Sequence, residues 1–595
     1  MSHREGEKEG PSKKDKREGL RKKRPHSAKG RPFITGVPIM MPNSLSVLPE
    51  PMWLSEENAK EVRSLEHSIL VTQRVKPGTF KRFSEVRNIL VPVHDRLLEE
   101  TERLIRQFDR NELIIRLYDE LEIMYGTLEK HRIQGMAASA IWHDKRIPMA
   151  LRREWRARST QIMGVKYLME STIKNGTKGG KPLSDEELLK LMGLGTRITE
   201  IDGFMEHVYH RIIPHELSIS RTLQIKMGLS KSGVRALQEW DEAKKEREYE
   251  KMLADLSGRQ KTMEQPIKES QLTEDRIWKT LDQPMKRELG YSLTDRLQLN
   301  KALIAYFDDF ERLKVVAKEE FVCYLGQYTR LDTQTLNLLL SAHSLSRGNL
   351  AKLDRLDMLP VGHFWRDTRL SNRPIVEIKE GSASLIVLGV ETIQQGMQRG
   401  FELLADTRAS ILGVKPDGPI VHAFGTINEK AGNLFRDDVI RTCRLMGFGV
   451  EGEKSSVGSI KIPKNIGPVD AFVWDKSHSR FVIVETKDLS ERITPKDLAK
   501  QKEQFVGERY GDRKCFLRKL RAQEDWFRRR MVELKREYDI SPDDKVTVEG
   551  AVVVNHSMLW LFGHNEPIPV LDDYQFFRRL KSGKGLVYNP YTGHT

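Results

Sequence analysis

Two short apolar runs late in the chain carry the residues best suited to chemistry. Val469-Asp470-Ala471-Phe472-Val473-Trp474 and Phe481-Val482-Ile483-Val484-Glu485 flank the polar stretch Asp475-Lys476-Ser477-His478-Ser479-Arg480. Strand-forming residues on either side of turn residues predict a β-hairpin. A turn centred on Ser477-His478 sets Asp470 opposite Glu485, and Lys487, two residues further on, shares their face. Two carboxylates and an amine at the open end of an apolar hairpin are the groups needed to hold a hard divalent cation and hydrolyse a phosphodiester. Mg²⁺, or Mn²⁺ in its place, takes a few carboxylate oxygens and keeps several waters. A lysine beside the ion can orient the attacking water and offset charge growing on phosphorus. In a chain that is 31% charged, an acid-x-Lys triplet alone also fits a solvated strand end. The Pro468-Val469-Asp470 segment upstream, in matching register, is what makes the pattern specific.

Pro468, Asp470, Glu485 and Lys487 together resemble the PD-(D/E)XK motif of restriction-endonuclease-like nucleases, over about residues 415–590. The resemblance implies an α/β core with a mixed central sheet: a helix, a three-stranded meander bearing the motif, a second helix and a further strand. It also implies a metal held by Asp470, Glu485 and the carbonyl of Thr486, with Lys487 assisting the attacking water. Many family members carry a glutamate in the first helix, just after an aromatic residue. Here the position after Phe435 is Arg436, and the nearest acids are Asp437, Asp438 and Glu429, of which Asp437 is the auxiliary candidate. A glutamine that some branches carry in the helix after the lysine has Gln501 or Gln504 as its counterpart.

The elements that must position these groups are legible nearby. Asn433 to Met446 has helical apolar spacing and stops at Gly447, and the stretch from Phe448 to Ile462 can supply a first strand. Thr494-Pro495 offers an N-cap and a first-turn proline for a helix through Leu498, Gln501 and Phe505. Val546 to Val548 and Ala551 to Val554 read as buried strand. Residues 512–536 read as one long helix bearing ten basic and four acidic residues. Its Arg518, Lys519, Arg521, Arg528, Arg529 and Arg530, with Trp526 and Phe527 between them, make a candidate grip on a phosphate backbone. The other reading is an amphipathic helix whose aromatics pack inward while arginine stems cover apolar surface.

The expected fold class is α+β and multidomain. Residues 1–33 read as a disordered basic tail, because 1–32 hold twelve basic and five acidic residues and almost nothing apolar. Arg21-Lys22-Lys23-Arg24-Pro25 fits a nuclear-import signal, a phosphate-binding arm or plain solvation. Residues 34–349 read as a large α-helical region, with Leu97, Leu104, Leu113, Leu117 and Leu121 at helical spacing and a capping box at Ser184 to Glu187. The charge run from Arg235 to Arg259 reads as a long exposed helix. Residues 350–412 read as a small α/β transition segment docked on the nuclease-like unit 413–595. His207, His210 and His215 lack carboxylates at fixed offsets, as do His131 and His143 beyond Asp144, so packing or surface roles are expected of them.

A net charge of +15 points to a polyanionic partner, which with the hairpin means nucleic acid, DNA first. No apolar stretch reaches membrane-span length, so no membrane partner, secretory signal or anchor is expected. Cys323, Cys443 and Cys515 have neither zinc nor disulfide spacing, which fits an intracellular location: cytoplasmic or nucleoid-associated, nuclear in a eukaryote. The expected activity is Mg²⁺-dependent phosphodiester hydrolysis. The alternative is a catalytically inactive nuclease-like domain serving as a nucleic-acid-binding or protein-interaction adaptor, with the helical region contacting a protein partner. A homodimer is compatible with either.

Overall fold

The computed structural model describes residues 49–55, 59–142, 146–256, 274–307, 311–351, 369–405, 414–415, 417–475, 480–489, 495–507, 515–563 and 568–587. The basic tail, the turn 476–479, His143 and Asp144, Thr494 and the start of the basic helix lie outside the described residues.

Amphipathic helices build the first half. These are α1 (Ala59–Thr72), α2 (Phe83–Ile105), α3 (Arg110–Trp142), α4 (Arg146–Asn175) and α5 (Asp185–His210). Leu97, Leu104, Leu113, Leu117 and Leu121 are buried in one cluster, as their spacing requires. α5 opens with the expected capping box: Ser184 Oγ accepts from the Glu187 N–H, and the Glu187 carboxylate accepts from the Ser184 N–H. The region is dominated by helices, as expected, and also carries three short strands that the sequence does not announce, β1 (Gly78–Phe80), β2 (His215–Ile219) and β3 (Ile225–Leu229), which form an antiparallel sheet. Strands of three to five residues are too short to show a period in sequence.

Next come α6 (Lys231–Leu256), α7 (Glu274–Leu289), α8 (Leu293–Ala305), β4 (Leu313–Ala317), α9 (Lys318–Thr329), α10 (Thr333–His343), β5 (Ser344–Leu345) and α11 (Arg347–Ala351). β6 (Ile375–Glu380), β7 (Ala383–Gly389) and α12 (Val390–Ala405) fall where sequence places two strands and a helix. Their docking differs from expectation. The sheet order is β4-β7-β6-β5, so both outer strands come from the helical region. Val376, Ile378 and Val387 are buried with the helical core, and the Tyr118 hydroxyl of α3 donates to the Pro374 carbonyl at 2.5 Å. A two-stranded hairpin would leave bare edges and an uncovered apolar face, and those elements supply the cover.

The last third holds α13 (Pro419–Leu445), β8 (Gly449–Lys454), β9 (Ser456–Val457), β10 (Ile460–Lys461), β11 (Val469–Asp475), β12 (Arg480–Lys487), α14 (Pro495–Val506), α15 (Phe516–Arg528), α16 (Met531–Glu537), β13 (Thr547–Val554), α17 (Leu559–Phe562), β14 (Val570–Asp572) and α18 (Asp573–Lys581). Five strands form one mixed sheet in the order β14-β13-β12-β11-β8. β12, β13 and β14 are parallel, whereas β11 is antiparallel to both β12 and β8. Apolar residues on alternate positions face two helical layers. Val482 and Val484 meet Phe435, Val439 and Phe576 of α13 and α18, while Phe481 and Ile483 meet Phe505, Leu520 and Phe527 of α14 and α15. α13 is longer than its sequence pattern indicates but ends where expected, before Gly447 at φ +90°. Cys443 is buried in this layer, which pushes its thiol up to about 12 and leaves it unreactive.

One helical expectation needs correction and another gains a role. The basic helix is broken at Arg529 and Arg530 into α15 and α16, without glycine or proline. The break turns the chain so that Leu534 and Tyr538 are buried, with the Tyr538 ring 5.3 Å from that of Phe481. The charge-run helix α6 is long and largely exposed, as expected, and it also braces the last third of the chain. Trp240 Nε1 donates to the Ser557 carbonyl at 3.0 Å, and Arg247 Nε donates to Asp573 Oδ1 at 2.8 Å. Ile212 and Ile213, just after α5, are buried in the same cluster as Phe481 and Phe527. No helix among the described residues is long and apolar enough to cross a membrane.

Candidate active site

β11 and β12 pair with Ala471 opposite Val484 and Asp475 opposite Arg480. This register continues to Asp470 opposite Glu485, the pairing expected from the sequence. Both acids and Lys487 therefore lie on the side of the sheet covered by α14 and α15. Lys487 Nζ is 2.6 Å from Glu485 Oε1 and 3.9 Å from Asp470 Oδ2. The Thr486 N–H donates to Asp470 Oδ2 at 2.7 Å, and the Thr486 hydroxyl adds a bond at 3.1 Å. Those two donors fix the Asp470 carboxylate across the strand gap and leave its Oδ1 for another ligand.

A second amine enters from α15. Lys519 Nζ donates to Glu485 Oε2 at 2.7 Å, so each oxygen of this buried carboxylate holds one ammonium. Lys519, one of the cations expected in the phosphate grip, lies in the fold against the hairpin acids. One turn on, the buried Gln523 donates from Nε2 to the Pro468 carbonyl at 2.9 Å, tying the helix to the segment before Asp470. The signal for both was their four-residue spacing on one face of the helix. Lys487 also lies over the Phe516 ring, 4.7 Å from its centre.

The remaining expected residues separate. Gln501 is buried on the stripe of α14 that carries Leu498 and Phe505, with neither amide atom hydrogen-bonded, whereas Gln504 is exposed. Asp437 is exposed and faces Arg436, 3.6 Å away, so it is not brought to the carboxylate pair. Arg436 Nη1 binds Glu453 Oε2 at 2.7 Å. The β8–β11 register sets Glu453 level with Asp470, but its carboxylate is held by Arg436 of α13. The Glu453 φ of +36° departs from regular strand geometry.

The basic stripe is divided in the same way. Arg518 and Arg521 are exposed. Arg528 is bound to Glu524 and the Val548 carbonyl, and Arg529 Nε to the Asp525 carbonyl. Arg530 pairs with Glu533 and stacks over Trp526 at 4.8 Å. Trp526 and Phe527 are buried, so the inward-packing reading of these aromatics holds.

The histidines of α5 and β2 do converge. The His207 and His215 rings stack at 4.7 Å, and burial pushes the His207 imidazole down to about 3. His131 receives Arg158 Nη1 at 2.7 Å from its Nδ1. Among the described residues no group of three or more His, Cys, Asp or Glu side chains is placed to hold a metal ion. The donors at the hairpin are thus two carboxylates with two ammonium groups set against them. The four groups balance in formal charge, so the acids are neutralised by the two amines as they stand.

No protein-family model, no curated protein and no solved structure matches this chain.

Proposed function

We propose that residues 413–595 form a restriction-endonuclease-like domain that hydrolyses phosphodiester bonds, with DNA as the first substrate class. The observation that carries this reading is the convergence of Asp470, Glu485 and Lys487 at one end of the β11–β12 hairpin. Asp470, Glu485 and the Thr486 carbonyl would hold Mg²⁺ or Mn²⁺. When bound, the ion supplies an acidified water and charge stabilisation at the phosphate. The Lys487 ammonium would orient the attacking water and offset charge growing at the phosphate, and Thr486 keeps Asp470 aimed at the site. Gln501 stands as the auxiliary residue, because a buried amide with unmet hydrogen bonds is costly unless it serves a ligand. The exposed Arg518 and Arg521, one and two residues from Lys519, would meet the phosphate backbone.

A second reading rests on Arg436, whose pairing with Glu453 puts a cation where the resemblance calls for an acid. In that reading the domain binds nucleic acid without cutting it. Cleavage of labelled single- and double-stranded DNA with Mg²⁺, Mn²⁺ or EDTA separates the two. Metal-dependent cutting that is lost in Lys487→Ala supports the nuclease. Binding without cutting under every metal condition overturns it in favour of the second reading.

A further inference from the structure

Far from the hairpin in sequence, the meeting of α8, α10 and α12 buries several polar atoms with no hydrogen-bond partner among the described residues. Arg296 on α8 is buried, no carboxylate among the described residues pairs with it, and its Nε has no hydrogen-bond partner. Gly400 on α12 makes room for the guanidinium, since a Cβ there would collide with Arg296 Nη2. Asn300, one turn along the same stripe of α8, is buried with both amide atoms unbonded. From α10, His343 sets Nδ1 2.8 Å from the Leu339 carbonyl and so donates its proton there. Its Nε2 is left as a bare acceptor. Arg296 and Arg373 lie close enough to join burial in pushing this imidazole down to about 3. The neighbouring Ser344 hydroxyl is buried and unbonded as well.

A buried guanidinium with no counter-ion among the described residues is strongly unfavourable, and buried polar atoms in folded proteins are almost always paired. The unmet needs here are complementary to one kind of ligand. Arg296 Nε–H, Asn300 Nδ2–H and the Ser344 hydroxyl call for oxygen acceptors with negative charge. Asn300 Oδ1 and His343 Nε2 call for a donor. We propose that this interface binds a phosphate in its monoprotonated form, free or as a phosphomonoester, whose oxygens face Arg296 and whose O–H faces His343 or Asn300. Sulfate has the same shape and charge but no proton to give at neutral pH, so the site should tell the two apart.

The test uses the full chain freed of phosphate by dialysis. It is titrated calorimetrically with inorganic phosphate, with sulfate and with a 5′-mononucleotide, and thermal unfolding is followed in parallel. Asp470→Asn runs alongside, to keep any binding at the hairpin apart. The expected result is one equivalent of phosphate in both proteins, with sulfate weaker by about tenfold or more, the worth of one lost charged hydrogen bond. Binding of phosphate alone identifies the free ion; binding of the mononucleotide as well identifies the monoester. Arg296→Met should abolish the binding. Without phosphate it should unfold no lower than wild type, because an uncompensated charge has gone; with phosphate, wild type should overtake it. A simple packing role for Arg296 would not give that crossing. Should Arg296→Met fail to fold, the Asn300→Leu and His343→Phe variants carry the same comparison. No saturable phosphate binding by wild type, equal binding of sulfate, or binding unchanged in the folded variants would overturn the assignment.

Discussion

Lys519→Met should tighten divalent-metal binding at the hairpin. In the structure the Lys519 ammonium sits 2.7 Å from Glu485 Oε2, on an oxygen that a metal ion would take. Asp470, Glu485, Lys487 and Lys519 sum to zero formal charge, so an arriving cation meets a neutralised pair. At an effective dielectric constant of about 20, one such contact is worth roughly 6 kcal/mol of gross attraction. Desolvation offsets most of this, and a charged hydrogen bond nets about 1.5–3 kcal/mol. Removing the competitor should therefore improve the dissociation constant for Mn²⁺ by about 10- to 100-fold. Glu485 keeps Lys487 on its other oxygen, so the fold should survive. Calorimetric titration of wild type and variant with Mn²⁺ measures the change, and thermal unfolding checks integrity. Metal affinity that is unchanged or weaker in the folded variant would refute the idea that Lys519 and a metal contest the same oxygen.

Arg247→Met should cost about 3–5 kcal/mol of stability, because it strands the buried Asp573 carboxylate, and adding Asp573→Asn should restore most of it. Denaturant melts of the two singles and the double measure this; a double mutant no better than Arg247→Met would contradict it. His207 titrates near 6.5 when unfolded and about 3 when folded, so its contribution is complete above pH 6.5 and is lost as pH falls toward 3. At about 1.4 kcal/mol per unit, pH 5 should stand about 2 kcal/mol below pH 7, and His207→Phe should flatten that slope by about one proton. An identical slope in the variant would count against it. Gln501→Met should raise stability by about 1–2 kcal/mol by removing two unbonded buried atoms, while lowering DNA cleavage. Full cleavage by that variant would remove Gln501 from the site.

The hairpin was legible because both of its strands are strongly apolar and the turn between them is polar, which leaves one register open. The same clarity gave β6, β7, the end of α13 and the capping box of α5. What sequence concealed was tertiary in origin. Nothing local breaks the basic helix at Arg529; burial of Leu534 and Tyr538 under the sheet does. Lys519 looked like any cation in a basic run, and only the packing of α15 on β12 aims it at Glu485. Glu453 carried no motif, because its place beside Asp470 depends on a strand pairing. α6 looked like a solvated rod, since a dense charge run hides the few residues, Trp240 and Arg247 among them, that anchor it.

Ile212 and Ile213 link the two halves of the chain through one interior. They leave α5 and fill the interior formed around Phe481, Phe527 and Trp560. During synthesis the N-terminal half emerges first, so this pair is already displayed when β11 and β12 leave the ribosome. The late-made sheet then closes on a template instead of searching alone, and a fragment beginning near residue 415 would be born with a socket lacking its plug. The two isoleucines therefore tie the last third of the chain to the corner after α5, and a graft of that third onto another scaffold would have to bring the Ile212-Ile213 corner along.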